Sequence, residues 1–279
     1  MKVTFWGVRG SIPAPGPETN RYGGNTSCVT VKTDQGGLLV LDMGTGVAVL
    51  GRQLLSEDFG EGKGKASVIL GHAHWDHIQG FPFFAPIFIP GNHFDFYGHG
   101  GAKTRLEDVL EGQMSPKFSP VQSLKNLGAS IRFHAIEPCR PLEIEGLRVT
   151  GLPVPHGVTT NLALRMEEVT RDKGTPRSVV YVSDVGYPPE GIPDPIIQHY
   201  KDTDLLIHDC TYSPEDQEER RNRGFSSIQD AARAASRAHA KHLVMFHYDQ
   251  DYTDEDVDSL REDLRAALDS LGATDTKLT

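Results

Sequence analysis

The stretch Ser67-Val68-Ile69-Leu70-Gly71-His72-Ala73-His74-Trp75-Asp76-His77 runs from a short apolar segment straight into three imidazoles and one carboxylate. In extended backbone, residues two apart point to the same side, so His72 and His74 form one pair. The chain must then turn to bring Asp76 and His77 round as a second pair. Such a loop offers two sets of ligands to metal ions. Imidazole and carboxylate suit zinc, manganese or iron, and no cysteine lies close enough in sequence to suggest a thiolate site. Surface histidines gathered by chance are the bland alternative, but four ligand-type side chains within six residues are too dense for that.

Outward from this loop, short runs rich in Val, Ile, Leu and Phe predict strands over Val3–Val8, Cys28–Thr33, Gly37–Asp42 and Ser67–Leu70. Further strands are predicted over Ile131–Ile136, Leu147–Thr150, Asn161–Met166, Ser178–Ser183, Asp204–Ile207 and Leu243–Phe246. Ser226 followed by Gln229 reads as a capping box ahead of Ile228, Ala231, Ala232, Ala235 and Ala238 at helical spacing. A second helix begins near Asp254, carries Val257, Leu260, Leu264, Leu268 and Leu271 on one stripe, and stops at Gly272. A weaker helix covers Val47–Leu55. Strands mixed with helices predict an α/β fold. No linker divides the chain, so one domain over residues 1–279 is expected. Gly10–Gly24 and an insert around 81–120 read as irregular, and the insert is aromatic rather than basic.

Composition narrows the function. Lys plus Arg is 28 against 38 for Asp plus Glu, a formal net charge of −10. An acidic chain has no long-range attraction for phosphate backbones, so long nucleic acid is not the expected partner. The run Arg220-Arg221-Asn222-Arg223 is offset by Glu215, Asp216, Glu218 and Glu219 and reads as a solvated face. Three cysteines, Cys28, Cys139 and Cys210, make no disulfide framework, which fits a reducing cytoplasm. The start shows no signal peptide. The most apolar run, Phe81–Pro90, carries three prolines and is about half the length of a membrane span, so no membrane association is expected.

The pattern His72, His74, Asp76, His77 resembles the HxHxDH signature of the metallo-β-lactamase fold hydrolases. The resemblance continues in order along the chain: His156 in Pro153-Val154-Pro155-His156-Gly157, Asp184 ending Tyr181-Val182-Ser183-Asp184, and His247 ending Val244-Met245-Phe246-His247. Asp42 matches that family's buried supporting carboxylate. The resemblance implies a four-layer αββα sandwich holding two divalent metal ions, zinc first, with manganese or iron as alternatives. His72, His74 and His156 would hold one ion. Asp76, His77 and His247 would hold the other, and Asp184 would bridge them. Catalysis would pass through a hydroxide between the ions, because metal binding lowers the pKa of water to near 7. The catalytic residues would be Asp76, Asp184 and His208.

Within that superfamily the chain looks most like the phosphodiesterase branch, which includes ribonuclease Z and the phosphodiesterase of phosphonate breakdown. The bridging position is Asp184 rather than Cys. Gly23-Gly24-Asn25-Thr26-Ser27-Cys28 and the ending from Ser226 to His247 also match that branch. One departure stands out. Ribonuclease Z commonly has a His before the Ser-Thr of this ending, and here the position is Phe225, which cannot donate a proton. Arg9, Ser11, Arg21 and His208 are the candidates to replace it, and Asp209 is a candidate to orient a ligand His. The expected substrate is a small phosphodiester, such as a cyclic nucleotide or a cyclic sugar phosphate. The alternatives are a ribonuclease Z-like endoribonuclease, a thioester, lactone or β-lactam hydrolase on the same site, and a non-catalytic metal-holding module. Relatives of this fold often pair, so a homodimer is the assembly to test.

Overall fold

The computed structural model describes residues 1–99, 105–119, 123–169 and 176–279. It divides into two compact units, neither continuous in sequence. The first takes residues 1–13, 25–137 and 144–146, and the second takes 14–24, 138–143 and 147–279.

The first unit contains β1 (Lys2–Gly7), β2 (Cys28–Lys32), β3 (Leu38–Leu41), α1 (Gly46–Leu54), β4 (Lys65–Leu70), α2 (Trp75–Ile78), β5 (His93–His99), α3 (Leu106–Gln113) and β6 (Ser130–Ile136). Its sheet has the order β1-β2-β3-β4-β5-β6. The pairs β1/β2 and β2/β3 are antiparallel, and the pairs from β3 to β6 are parallel. Leu38–Leu41 is buried at every position, as a central strand covered on both faces requires. One face of the sheet, with Val40, Val68, Phe94 and Phe96, packs in a core with Val47, Leu50 and Leu54 from α1. These three residues follow the 3.6-residue helical period, which is why the weak helical signal there holds.

The insert around 81–120 is not irregular where it is described, and this corrects the reading from sequence; residues 100–104 and 120 lie outside the described residues. It holds β5, α3 and two short 3-10 turns over Phe81–Phe83 and Ala85–Phe88. Four of its aromatics form core, whereas Phe83 and Phe118 are exposed. Phe81, Phe84, Phe94 and Phe96 are buried, with the Phe94 ring 5.8 Å from Phe59 and 5.5 Å from Phe84. The strand was hidden because the polar residues His93, Asp95 and His99 break the apolar run. They alternate with Phe94, Phe96 and Gly98, the burial pattern of a strand with one covered face.

The second unit contains β7 (Leu142–Ile144), β8 (Leu147–His156), β9 (Thr159–Glu168), β10 (Ser178–Val182), α4 (Asp194–Tyr200), β11 (Leu205–Asp209), α5 (Pro214–Glu219), α6 (Ile228–Ala238), β12 (His242–Phe246), α7 (Asp254–Ser270) and β13 (Lys277–Leu278). Its sheet has the order β13-β12-β11-β10-β9-β8-β7. The β8/β9 hairpin runs longer than its sequence signal, because Pro153 and Pro155 interrupt that signal. Both prolines pair across to β9, opposite Leu162 and Thr160. The three-residue β7 covers only part of the ten-residue β8. The remainder of that edge needs no N–H, so proline is tolerated there.

The capping box of α6 is formed by Ser227 and Asp230, one residue later than expected from sequence. Ser226 instead turns inward and donates its hydroxyl to Val185 O at 2.6 Å. Small buried residues, Ala231, Ala234, Ala235 and Ala238 among them, let α6 lie close to its neighbours α4 and α7. On α7, Val257, Leu260, Leu264 and Leu268 are buried as the stripe requires, whereas Leu271 is exposed beyond the helix end. Among the described residues no helix is long and apolar enough to cross a membrane.

If β5 is part of the core, Phe94→Ala should destabilise the protein by about 3–5 kcal/mol, the usual cost of deleting a buried phenyl ring. Chemical denaturation measures this, and a loss under about 1 kcal/mol would contradict the placement.

Candidate metal centre

Each candidate ligand stands at or just past the C-terminal end of a strand. His72, His74, Asp76 and His77 follow β4, His156 closes β8, Asp184 follows β10 and His247 follows β12. In mixed and parallel sheets this is where ligands gather, because loops leave the strands there with their backbone groups still to be satisfied.

In the first unit, Asp42 follows β3 with φ of 60°, a conformation unusual for a residue with a side chain. It is fully buried and its Oδ2 lies 2.8 Å from His77 Nδ1. A carboxylate only accepts, so His77 Nδ1 carries the proton and Nε2 keeps its lone pair. His77 Nε2 lies 3.1 Å from Asp76 Oδ2. The same Asp76 oxygen accepts the Ser11 N–H at 2.8 Å. The His72 ring lies 4.5 Å from His74 and 4.3 Å from His77, centroid to centroid.

In the second unit the same logic appears twice. His156 Nδ1 donates to Gly224 O at 2.8 Å, so its Nε2 also presents a lone pair, 3.6 Å from Asp184 Oδ2. His247, with φ of 63°, places Nδ1 3.0 Å from Thr211 Oγ1. The Thr211 hydroxyl donates to Asp209 Oδ1 at 2.7 Å and so accepts from His247. His247 Nε2 then faces Asp184 Oδ1 at 3.3 Å. A lone pair facing a carboxylate oxygen is repulsive unless a cation lies between them. The donor set therefore fits divalent ions, with His77, His156 and His247 held in the right tautomer from behind.

Two groups of residues each offer ligand atoms within 4.8 Å of one another: His72, His74, His156 and Asp184, and Asp76, His77, Asp184 and His247. Asp184 belongs to both. All seven residues named from sequence are in these groups, and either group could hold a metal ion.

Of the parts that hold these residues in place, the sequence pointed to Asp42 and Asp209 but not to Thr211, Asn161 or Gly224. Asp209 is the anchor of the second unit. Its carboxylate accepts from Val185 N, Thr211 N, Thr211 Oγ1 and Ser226 N at 2.7–3.1 Å. Burial pushes its pKa up to about 7, while the facing His247 and these donors pull it down. It orients His247 through Thr211, so the residue named from sequence to orient a ligand His acts through an intervening hydroxyl. Asn161 Nδ2 donates to Asp184 O and fixes the end of β10. Gly224 must be glycine, since a Cβ there would lie 2.0 Å from Gly157 N. That close approach brings Gly224 O onto His156.

The candidates for the missing phosphate-side group fare differently. Phe225 lies against the ligands, its ring centroid 5.1 Å from His156 and 5.3 Å from His247. Arg21 is tied to Asp258 at 2.5 Å and does not serve. Arg9 is fully buried. Ser11 reaches Asp76 through its backbone rather than its hydroxyl. Arg220 is not on a solvated face: it pairs with Asp249 at 3.1 Å and lies over the Tyr212 ring.

His208, expected to be catalytic, belongs to neither ligand group. Neighbouring side chains on a strand point to opposite faces, so His208 turns away from the side that Asp209 serves. It is fully buried, with Nδ1 donating to Asp209 O at 2.7 Å and Nε2 accepting from Tyr187 Oη at 2.8 Å. Both ring nitrogens are engaged within the protein, and burial lowers its pKa to about 4.

Residues 42–248 match the β-lactamase superfamily domain, and the chain belongs to that family. The match opens on Asp42 and closes one residue past His247. Ribonuclease Z from Halorubrum lacusprofundi is 26% identical over 310 aligned positions, covering 96% of this chain and 93% of that protein. Among solved structures, the metallo-β-lactamase fold protein YhfI from Bacillus subtilis superposes with a TM-score of 0.68 at 22% identity, over 99% of this chain and 95% of its own. A diphosphatase of the PhnP family gives 0.65 at 21% identity, over 99% and 94%. The fold is the metallo-β-lactamase fold, with two mixed sheets and helices, and the chain is a metal-dependent hydrolase.

Two outcomes follow from this geometry. Thr211→Val removes the hydroxyl behind His247 and should weaken metal affinity about 10–100-fold, as loss of an outer partner does; titration in metal buffers reads it, and an unchanged affinity would remove Thr211 from the scheme. His208 has a folded pKa near 4 against an ordinary 6.5. Its contribution to stability is complete above about pH 6.5 and is lost as pH falls toward 4, a difference of about 3 kcal/mol. His208→Gln should flatten the slope of stability against pH in that window. Denaturant titrations at several pH values check this, and an unchanged slope would contradict it.

Proposed function

We propose that the chain is a binuclear metal-dependent phosphodiesterase, acting as a single hydrolase domain on a small diester such as a cyclic nucleotide or a cyclic sugar phosphate. The observation that carries this reading is Asp184, a carboxylate common to two groups of imidazole and carboxylate donors. In it, His72, His74 and His156 hold one ion, Asp76, His77 and His247 hold the other, and Asp184 spans both. Zinc is the ion we favour. Two such ions, when bound, neutralise charge on a phosphoryl oxygen and lower the pKa of a water to near 7.

The protein's own groups set the rest. Asp42, Gly224 O and Thr211 hold His77, His156 and His247 with Nε2 free of a proton. The Ser11 N–H holds the Asp76 carboxylate from the side. Phe225 lines the ligand rings of the second unit with hydrocarbon and supplies no proton.

A second reading, a ribonuclease Z-like endoribonuclease, is favoured by the curated relative named above. The net charge of −10 and Phe225 argue for the smaller substrate. The metal-loaded protein should hydrolyse bis(p-nitrophenyl) phosphate, lose that activity to a chelator and regain it with zinc or manganese. Cleavage of a transfer-RNA precursor with no turnover of small diesters would replace our reading with the second. Asp76→Ala should abolish most of the turnover while leaving the melting temperature close to that of the parent. Full activity in that variant would overturn the assignment of Asp76.

A further inference from the structure

A cavity of about 630 Å³ opens in the second unit beside the His156 end of β8. That volume is within the range of small-molecule sites, about 300–1,000 Å³. Pro155 and Gly157, the residues on either side of His156, line it, and so does Phe225. It therefore begins where the candidate ligands end.

Its walls are of two kinds. Tyr187, Phe225 and Pro188 are apolar and ring-shaped, whereas Gln217, Asn222 and Arg233 are polar. Gln217 Nε2 is committed to Phe225 O at 3.2 Å and Asp230 Oδ2 at 2.6 Å, which leaves its Oε1 as an acceptor. Tyr187 is held by a directed chain of hydrogen bonds. His208 Nδ1 donates to Asp209 O, so His208 Nε2 must accept, and the Tyr187 hydroxyl donates to it. Tyr187 Oη in turn accepts from Tyr200 at 3.2 Å. His208 and Tyr200 are fully buried, so the Tyr187 hydroxyl is drawn into the interior. What Tyr187 offers the cavity is the ring.

We propose that this cavity is a subsite for a planar heterocyclic arm of the diester, a nucleobase in its chemistry, with Tyr187 as the stacking wall and His208 as the residue that positions it. The inference rests on the phosphodiesterase reading and deepens it. Stacking recognises any base by its face, and the amide and guanidinium groups at the rim meet its edge. His208, set aside as a catalytic group, acts here through Tyr187.

The test compares two substrates with one leaving group, thymidine 5′-(p-nitrophenyl phosphate) and methyl p-nitrophenyl phosphate, on the metal-loaded protein. The thymidine ester should be favoured in kcat/KM by about 5- to 150-fold, the range of ring stacking. Tyr187→Phe keeps the ring but loses the bond to His208, so it should weaken that preference, and Tyr187→Ala should lose it. Tyr187→Leu keeps the bulk without the aromatic face and should also lose it, which separates stacking from packing. Equal kcat/KM for the two esters, or a preference that survives in both the Ala and Leu variants, overturns the subsite. Calorimetric binding of thymidine 5′-monophosphate against methyl phosphate decides the case if neither ester turns over. Tighter, Tyr187-dependent binding of the nucleotide then upholds the subsite while the reaction assigned above falls, and equal binding overturns the subsite as well.

Discussion

A carboxylate with 1% of its surface exposed, Asp184, sets the terms for the second unit. Taking such a group out of water costs several kcal/mol unless positive charge or strong donors stand beside it. Its near neighbours within that unit, His156 Nε2 at 3.6 Å and His247 Nε2 at 3.3 Å, are not ready donors, because their protons sit on Nδ1. The arrangement is electrostatically consistent when cations lie among these atoms. The tautomers, the strand ends and the glycine contacts around them all serve that requirement.

The supports behind the ligands are alike in kind but different in chemistry. His77 is backed by a carboxylate directly, His247 by a carboxylate through a hydroxyl, and His156 by a peptide carbonyl. A carboxylate behind an imidazole raises its basicity more than a carbonyl does, so the three rings are not equivalent donors. Two of the residues involved, Asp42 and His247, hold positive φ at the ends of their strands. Such conformations cost about 1–3 kcal/mol and persist where the surrounding bonds fix them. Here the fixing bonds are His77 to Asp42, and His247 to Thr211.

Phe225 sets the character of the second unit's side of the site. A phenyl ring against His156 and His247 lowers the local polarity and leaves proton donation to other groups or to the substrate. The adjoining cavity carries the Tyr187 ring beside that of Phe225. Both features suit recognition of a flat, weakly polar group better than that of an extended phosphate backbone, in keeping with the acidic net charge.

The sequence by itself determined the ligand types and their order, because a metal site needs particular atoms and these are written in the residues. It also marked the strands that are apolar throughout, such as Leu38–Leu41 and Ser178–Val182, and the long stripe of α7. Only the tertiary structure decided the rest. Phe94 and Phe96 became core because β5 is paired on both sides, a fact absent from their local pattern. His208 and Asp209 are adjacent in sequence yet serve opposite faces of one strand. Gly224 O meets His156 although 68 residues separate them. Orientation, tautomer and burial depend on partners distant in the chain, and folding alone brings those partners together.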